Sequence, residues 1–315
     1  MTRAEAIDTS SGSTAEREVS LEVDGGRIVG WMSGVGPPML LLHGGPGLSD
    51  YLGQLAGELS SAFTVFRYQQ RGLAPSVVEG DRSVEGHMAD LLRVLDGLGW
   101  SKPWIAGHSW GGHLAMHFAV AHPDRTGVLV VIDPLGAVGD GGVEVFGENL
   151  LRQLPPALRA RVEELDAAEQ RGEQQPGDLV ESLGILWPYY FANPADASPM
   201  PPMQGDHEGH LETWASVRAH FEAGTLEIGL PRLELPAIFI HGALDPIPAD
   251  ETERSAALVR GARLHVLEGI GHFPWLEKPG SIVRLLRGLA VPDQTPEPRG
   301  AAGEEMRGQH RRRRN

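Results

Sequence analysis

The chain has 315 residues, a formal net charge of −15 and no cysteine. The acidic balance argues against nucleic acid and anionic membrane surfaces as partners of the folded body. The missing thiols rule out disulfides, a cysteine nucleophile and a thiolate metal site, which suits a reducing cytoplasm. The length suffices for one large core, or one domain with an insertion.

Residues 1–17 are small and polar and are expected to be a disordered tail. They lack the apolar centre of a signal peptide, and no stretch approaches the ~20 apolar residues of a membrane span; a cytoplasmic location is expected. The alternation of Glu18–Val23 breaks at Asp24-Gly25-Gly26 and resumes at Arg27–Trp31. It predicts an antiparallel hairpin at a sheet edge. The apolar run at 39–42 reads as a buried parallel strand and stops at His43-Gly44-Gly45-Pro46-Gly47. A further strand at 64–68 leads into Gln69-Gln70-Arg71-Gly72. The stripe Val84, Met88, Leu91, Leu92 and Leu95 predicts an amphipathic helix over 83–95.

The strand at 104–108 runs into Gly107-His108-Ser109-Trp110-Gly111, followed by helical spacing to Ala119 and a stop near Pro123. A G-x-S-x-G pentapeptide between strand and helix forms a turn so tight that it needs glycine on both sides, and it lifts the serine hydroxyl above the sheet. In a chain with 41 glycines the pentapeptide alone also reads as an ordinary Gly-rich loop; its place between strand and helix tips the balance. A strand at 127–132 ends at Asp133.

Between 134 and 235 helical stretches occur without a core strand, too long an interval for a loop. It is expected to be a helical cap that selects substrate and excludes water. Strands resume at 237–241, followed by Asp245, and at 263–267, followed by His272 on a glycine-flexed loop. The core is thus 18–133 and 236–291, and the Pro-, Gly- and charge-rich segment 292–315, with its run of four arginines, is a second disordered tail without catalytic role. Strand–helix alternation implies right-handed crossovers and an α/β fold, a mostly parallel, doubly wound, eight-stranded sheet with the cap inserted. Ligands bind such sheets beyond the strands' carboxyl ends, where Ser109, Asp245 and His272 all fall.

Those three residue types suit acyl transfer. An imidazole takes the serine proton and returns it to the leaving group, while a carboxylate fixes the tautomer. The N–H groups of Gly45 and Trp110 are the candidate oxyanion donors. Asp133 is the alternative acid. The scheme needs no metal and no cofactor.

With these motifs over residues 20–290, the chain resembles the α/β-hydrolase family, and within it the subgroup with His-Gly-Gly-Pro-Gly that includes proline iminopeptidases. The resemblance implies a serine hydrolase. Gln69-Gln70-Arg71-Gly72 resembles that family's Asp-Gln-Arg-Gly segment but carries Gln69 for the acid, a departure that bears on substrate. A serine at 109 argues against the carboxylate-nucleophile mechanism of related dehalogenases and epoxide hydrolases. The expected activity is cleavage of an ester, lactone or amide in a small molecule or short peptide. An iminopeptidase-like aminopeptidase is the narrower alternative. A non-hydrolytic relative, as acyltransferase, cofactor-free lyase or ligand-binding receptor, is the other.

Trp187, Tyr190, Phe273 and Trp275 are candidate pocket walls, with internal packing as the competing role; Trp214 and Phe221 stand likewise. Glu144, Glu148, Glu163, Glu164 and Glu181 are candidates for a substrate ammonium or else solvated helix faces. His43 is expected to support its loop, His108 to point away from the pocket, and His241 to be structural. His113 and His117 have i, i+4 metal-ligand spacing but no helpful acidic third residue.

Overall fold

Each apolar run expected to be a parallel strand forms one, and nearly all of them share their side chains between two cores. Leu40 and Leu42, Ile105, Leu129 and Val131, and Ala237 and Phe239 enter one core. Met39 and Leu41, Ala106, Val130 and Ile132, and Ile238 and Ile240 enter the other. This two-residue period on both faces explains why the strands are apolar throughout. In the computed structural model, residues 15–289 are described. The two expected tails fall outside them, apart from residues 15–17, where Arg17 already opens the first strand.

The strands are β1 (Arg17–Val23), β2 (Gly26–Ser33), β3 (Pro38–Leu42), β4 (Thr64–Tyr68), β5 (Val77–Val78), β6 (Trp104–His108), β7 (Val128–Ile132), β8 (Ala237–Gly242) and β9 (Arg263–Leu267). Their order is β1-β2-β4-β3-β6-β7-β8-β9, with β5 on β2. The first hairpin is antiparallel and β2 meets β4 antiparallel, whereas every pair from β4 through β9 along that order is parallel. The expected eight strands are this path. The two-residue β5 makes a ninth, too short to leave an alternating pattern.

Helices α1 (Gly53–Leu59), α10 (Pro274–Glu277) and α11 (Ser281–Leu289) cover one face, and α2 (Val84–Leu98), α3 (Trp110–Ala121) and α9 (Ala249–Leu258) the other. Helix α2 starts where Ser83 Oγ accepts from the Gly86 N–H at 3.2 Å and ends at Gly99 with φ 69°. Between β7 and β8 come α4 (Val143–Gln153), α5 (Pro156–Gln170), α6 (Asp178–Leu186), α7 (His207–Ala223) and α8 (Thr225–Gly229), with no strand in this interval. No helix among the described residues is long and apolar enough to cross a membrane.

Histidines 43, 87, 108, 113, 117 and 241 are buried. Burial lowers the pKa of each, His87 to about 3 and His113 to about 4. The unfolded chain takes up these protons near the ordinary value of 6.5 while the folded chain does not. Stability is therefore full above that value and falls as pH drops towards the folded values. Each such ring costs up to about 1.4 kcal/mol per pH unit in that window. Denaturant unfolding at about pH 7 and about pH 5 should show a marked fall in midpoint; an unchanged midpoint would mean the rings are charged in the fold.

Candidate active site

Ser109 occupies the turn from β6 to α3 with φ 56°, in the left-handed region that side chains other than glycine rarely enter. The flanking glycines are required by contact. A Cβ on Gly107 would lie 2.1 Å from the Gly111 carbonyl oxygen, and one on Gly111 2.3 Å from that of Leu42. The Ser109 N–H donates to Ile132 O at 2.9 Å, tying the turn to β7. Strain held by surrounding structure in this way is typical of functional sites.

The loop after β3 lies alongside. His43 Nδ1–H donates to Gly44 O at 2.7 Å and its Nε2 accepts from the Gln70 N–H at 3.1 Å, so the ring is neutral and holds the loop, as expected. The N–H groups of Gly45 and Trp110 have no partner among the described residues. That of Gly44 is taken: it donates to Tyr51 Oη at 3.0 Å.

Gln70 links this loop to the serine turn, accepting from Trp110 Nε1–H at 3.0 Å and donating to His43 O at 2.8 Å. Gln69 accepts from the Asp50 N–H at 2.9 Å and donates to Leu48 O at 3.3 Å. A carboxylate at 69 could accept the first bond but not donate the second, which gives the departure at this position a structural sense.

Asp245 and His272 follow β8 and β9 and meet. His272 Nδ1–H donates to Asp245 Oδ2 at 2.7 Å, and Asp245 Oδ1 accepts from the Ile247 N–H at 2.8 Å. Burial works against the Asp245 carboxylate, but His272, His241 and the Ile247 N–H hold its pKa below the ordinary value. The backbone of His272 is fixed from both sides. Its N–H donates to Tyr190 O of the helical insertion at 2.8 Å, and its carbonyl accepts from His108 Nε2–H at 2.7 Å. His108 Nδ1 then accepts from Tyr51 Oη–H at 2.7 Å. His108 stays out of the pocket, as expected, and works behind the imidazole. Tyr51, in the loop before α1, joins the Gly44 N–H to this ring; the sequence did not single it out.

Ser109 and His272 border one cavity of about 70 Å3, with Gly45, Tyr51, Trp187, Tyr190 and Phe273 among its walls. Ser109 Oγ makes no hydrogen bond to the described residues. Trp275 departs from expectation. It is 0% exposed and lies under Tyr51 and His108, its ring 4.7 Å from that of His108. Pro274 starts α10 beside it, and the indole turns into the core rather than the cavity. Trp214, Phe146, Leu48 and Leu183 also line the cavity and continue into a second chamber, the outer one, of about 220 Å3. Phe221 instead packs on His113.

The glutamates considered for an ammonium lie elsewhere. Glu144, Glu148, Glu163, Glu164 and Glu181 are exposed, and Glu164 and Glu181 both pair with Arg161 at 2.7 Å. Helix α5 turns Val162 and Leu165 inward, which sends Glu163 and Glu164 outward. Asp166, Glu169 and Asp178 border the outer chamber instead. His113 and His117 hydrogen-bond each other at 3.2 Å, and His241 is held by Thr252 and Ile247.

A family model described as alpha/beta hydrolase fold matches residues 37–279, and the chain belongs to that family. It is 24% identical over 283 residues to a proline iminopeptidase of Heyndrickxia coagulans, covering 84% of this chain and 96% of that one. It is 26% identical over 255 residues to the esterase YbfF of Escherichia coli (strain K12), covering 79% and 91%. The solved structure of VinJ superposes with a TM-score of 0.67 at 21% identity, covering 87% of this chain and 97% of that chain. The chain is an α/β-hydrolase-fold enzyme with hydrolases among its relatives.

Proposed function

We propose that this enzyme is a serine hydrolase that cleaves an ester, lactone or amide of a small molecule through Ser109, His272 and Asp245. The observation that carries this reading is the 2.7 Å contact of His272 with Asp245 beside a cavity that the strained Ser109 shares. Asp245 keeps the proton on His272 Nδ1, leaving Nε2 to accept the Ser109 proton. Ser109 Oγ attacks the carbonyl carbon, and the oxyanion is met by the unpartnered N–H groups of Gly45 and Trp110. His272 then protonates the leaving group. Water hydrolyses the acyl-enzyme by the same route, with Ser109 leaving protonated. The helices between 134 and 235 act as a cap, since Leu183, Trp187, Tyr190 and Trp214 close the cavity over Ser109.

The test is turnover on a panel of p-nitrophenyl esters, lactones and aminoacyl anilides, with and without an added alcohol or amine acceptor. Hydrolysis unaffected by acceptor is the expected outcome. Products carrying the acceptor would make it an acyltransferase, and no turnover of any substrate would defeat the reading. Cleavage confined to anilides with a free amino terminus would select the aminopeptidase reading, which the iminopeptidase relative favours.

Tyr51→Phe tests the relay behind the site. It strips a donor from His108 Nδ1 and an acceptor from the Gly44 N–H. We expect kcat to fall about tenfold with KM nearly unchanged and the fold intact. Unchanged kcat would show that the loop and imidazole hold their places without it.

A further inference from the structure

Two carboxyl groups, not one, lie behind His272. Asp133 directly follows β7 with φ 44° and is 0% exposed. Its N–H donates to Ile240 O at 2.9 Å, and its Oδ1 accepts from the Gly242 N–H at 2.7 Å. No N–H or O–H of the described residues reaches Oδ2. Asp133, His241 and Asp245 each bring a polar atom within 4.8 Å of the others.

Such a trio could suggest a cation, but its atoms are already engaged. His241 Nε2–H donates to Ile247 O at 2.9 Å and its Nδ1 accepts from Thr252 Oγ1–H at 2.8 Å, so the ring is neutral and offers no lone pair. Both Asp245 oxygens are engaged as well, by His272 and the Ile247 N–H. No arginine or lysine pairs with either carboxyl among the described residues. Two adjacent carboxyls in a dry interior do not both ionise. Asp245, which accepts from His272 Nδ1–H and from the Ile247 N–H, is the better home for the charge.

We propose that Asp133 is a positioning residue, a neutral carboxylic acid whose Oδ2–H donates to the Asp245 carboxylate and holds it against His272. This rests on the roles given to Asp245 and His272 above. The free Oδ2 is then a donor facing an acceptor, and the apparent orphan disappears. Burial first, and then the charge of Asp245, push the Asp133 pKa well above the ordinary value. The other titratable groups acting on the pair are His241, His272, Glu277, Tyr51 and Tyr190. Glu277 is itself pushed up by burial and is bound by the N–H groups of Ala192 and Gly271.

The direct test is infrared spectroscopy of the full chain at neutral pH, wild type minus Asp133→Asn. We expect the carbonyl stretch of a protonated carboxyl group in the wild type and its loss in the variant. A difference showing only carboxylate bands would overturn the proposal. Asp133→Ser, also a donor, replaces the amide should that protein fail to fold. This readout needs no turnover, so it separates failure here from failure of the hydrolase reading.

Kinetics supply the second arm. In Asp133→Ala the Asp245 carboxylate loses a donor and grips the imidazolium more firmly. The acid limb of kcat/KM, or of labelling by a fluorophosphonate, should then move up by about one pH unit. Asp133→Asn, which keeps both a donor and an acceptor, should recover most of that shift. An unmoved limb in the alanine protein would reduce Asp133 to scaffolding. A loss in the asparagine protein equal to that of Asp245→Asn would make Asp133 the ionised acid. Either result overturns the assignment.

Discussion

Ser109→Ala is expected to lower kcat/KM on the order of 10^5-fold and to abolish labelling by a fluorophosphonate, with thermal unfolding unchanged. The size follows from the proposed chemistry: without Oγ no acyl-enzyme forms, and His272, the Gly45 and Trp110 N–H groups and the cavity are left to assist direct attack by water. The fold should be indifferent. Ser109 Oγ makes no hydrogen bond to the described residues, and alanine meets the same backbone strain at φ 56°. Retained turnover would remove Ser109 from the chemistry. Retained ligand binding in a wild-type protein that turns nothing over would make it a receptor.

The second large effect belongs to the imidazole and its carboxylate. His272→Ala should cost turnover on the same order as Ser109→Ala, because no other imidazole of the described residues borders the cavity. Asp245→Asn should cost on the order of 10^4-fold by a different route. The amide would donate to His272 Nδ1, force the proton onto Nε2 and leave no lone pair for Ser109. Asp133→Asn should cost far less, because the amide can still donate where the carboxylic acid did. Steady-state kinetics on one substrate for the four proteins decide it. A reversed order of the two asparagine proteins would move the acid to the end of β7.

What the sequence made legible, and what it hid, follows from range. The strands at 39–42, 104–108 and 237–241 were readable because burial on both faces leaves an unbroken apolar run. Ser109 drew notice because it directly follows such a run, Asp245 because it lies just past one, and His272 because it sits on the glycine-flexed loop after the last strand. Tyr51 was not, since its partner is His108, 57 residues away, and no local pattern signals that meeting. Gln69 was noticed only as a departure and Gln70 only as part of a resemblance; their amides act through donor and acceptor geometry that composition does not encode. Trp275 looked like a pocket wall from its nearness to His272, yet nearness in sequence left the direction of the indole undetermined. On α5, Glu163 and Glu164 drew notice, whereas Asp166 and Glu169 reach the outer chamber. A helix polar on most of its surface gives few marks of which acids face inward.

The hydrogen bond from the His272 N–H to Tyr190 O joins two parts far apart along the chain, the helical insertion and the loop after β9. With Glu277 also bridging Ala192 and Gly271, the segment around Tyr190 is stitched to the loop that carries the imidazole. A wholesale swing of this segment would drag His272 away from Asp245. Leu48, Phe146, Leu183 and Trp214 line both chambers and lie where the two meet.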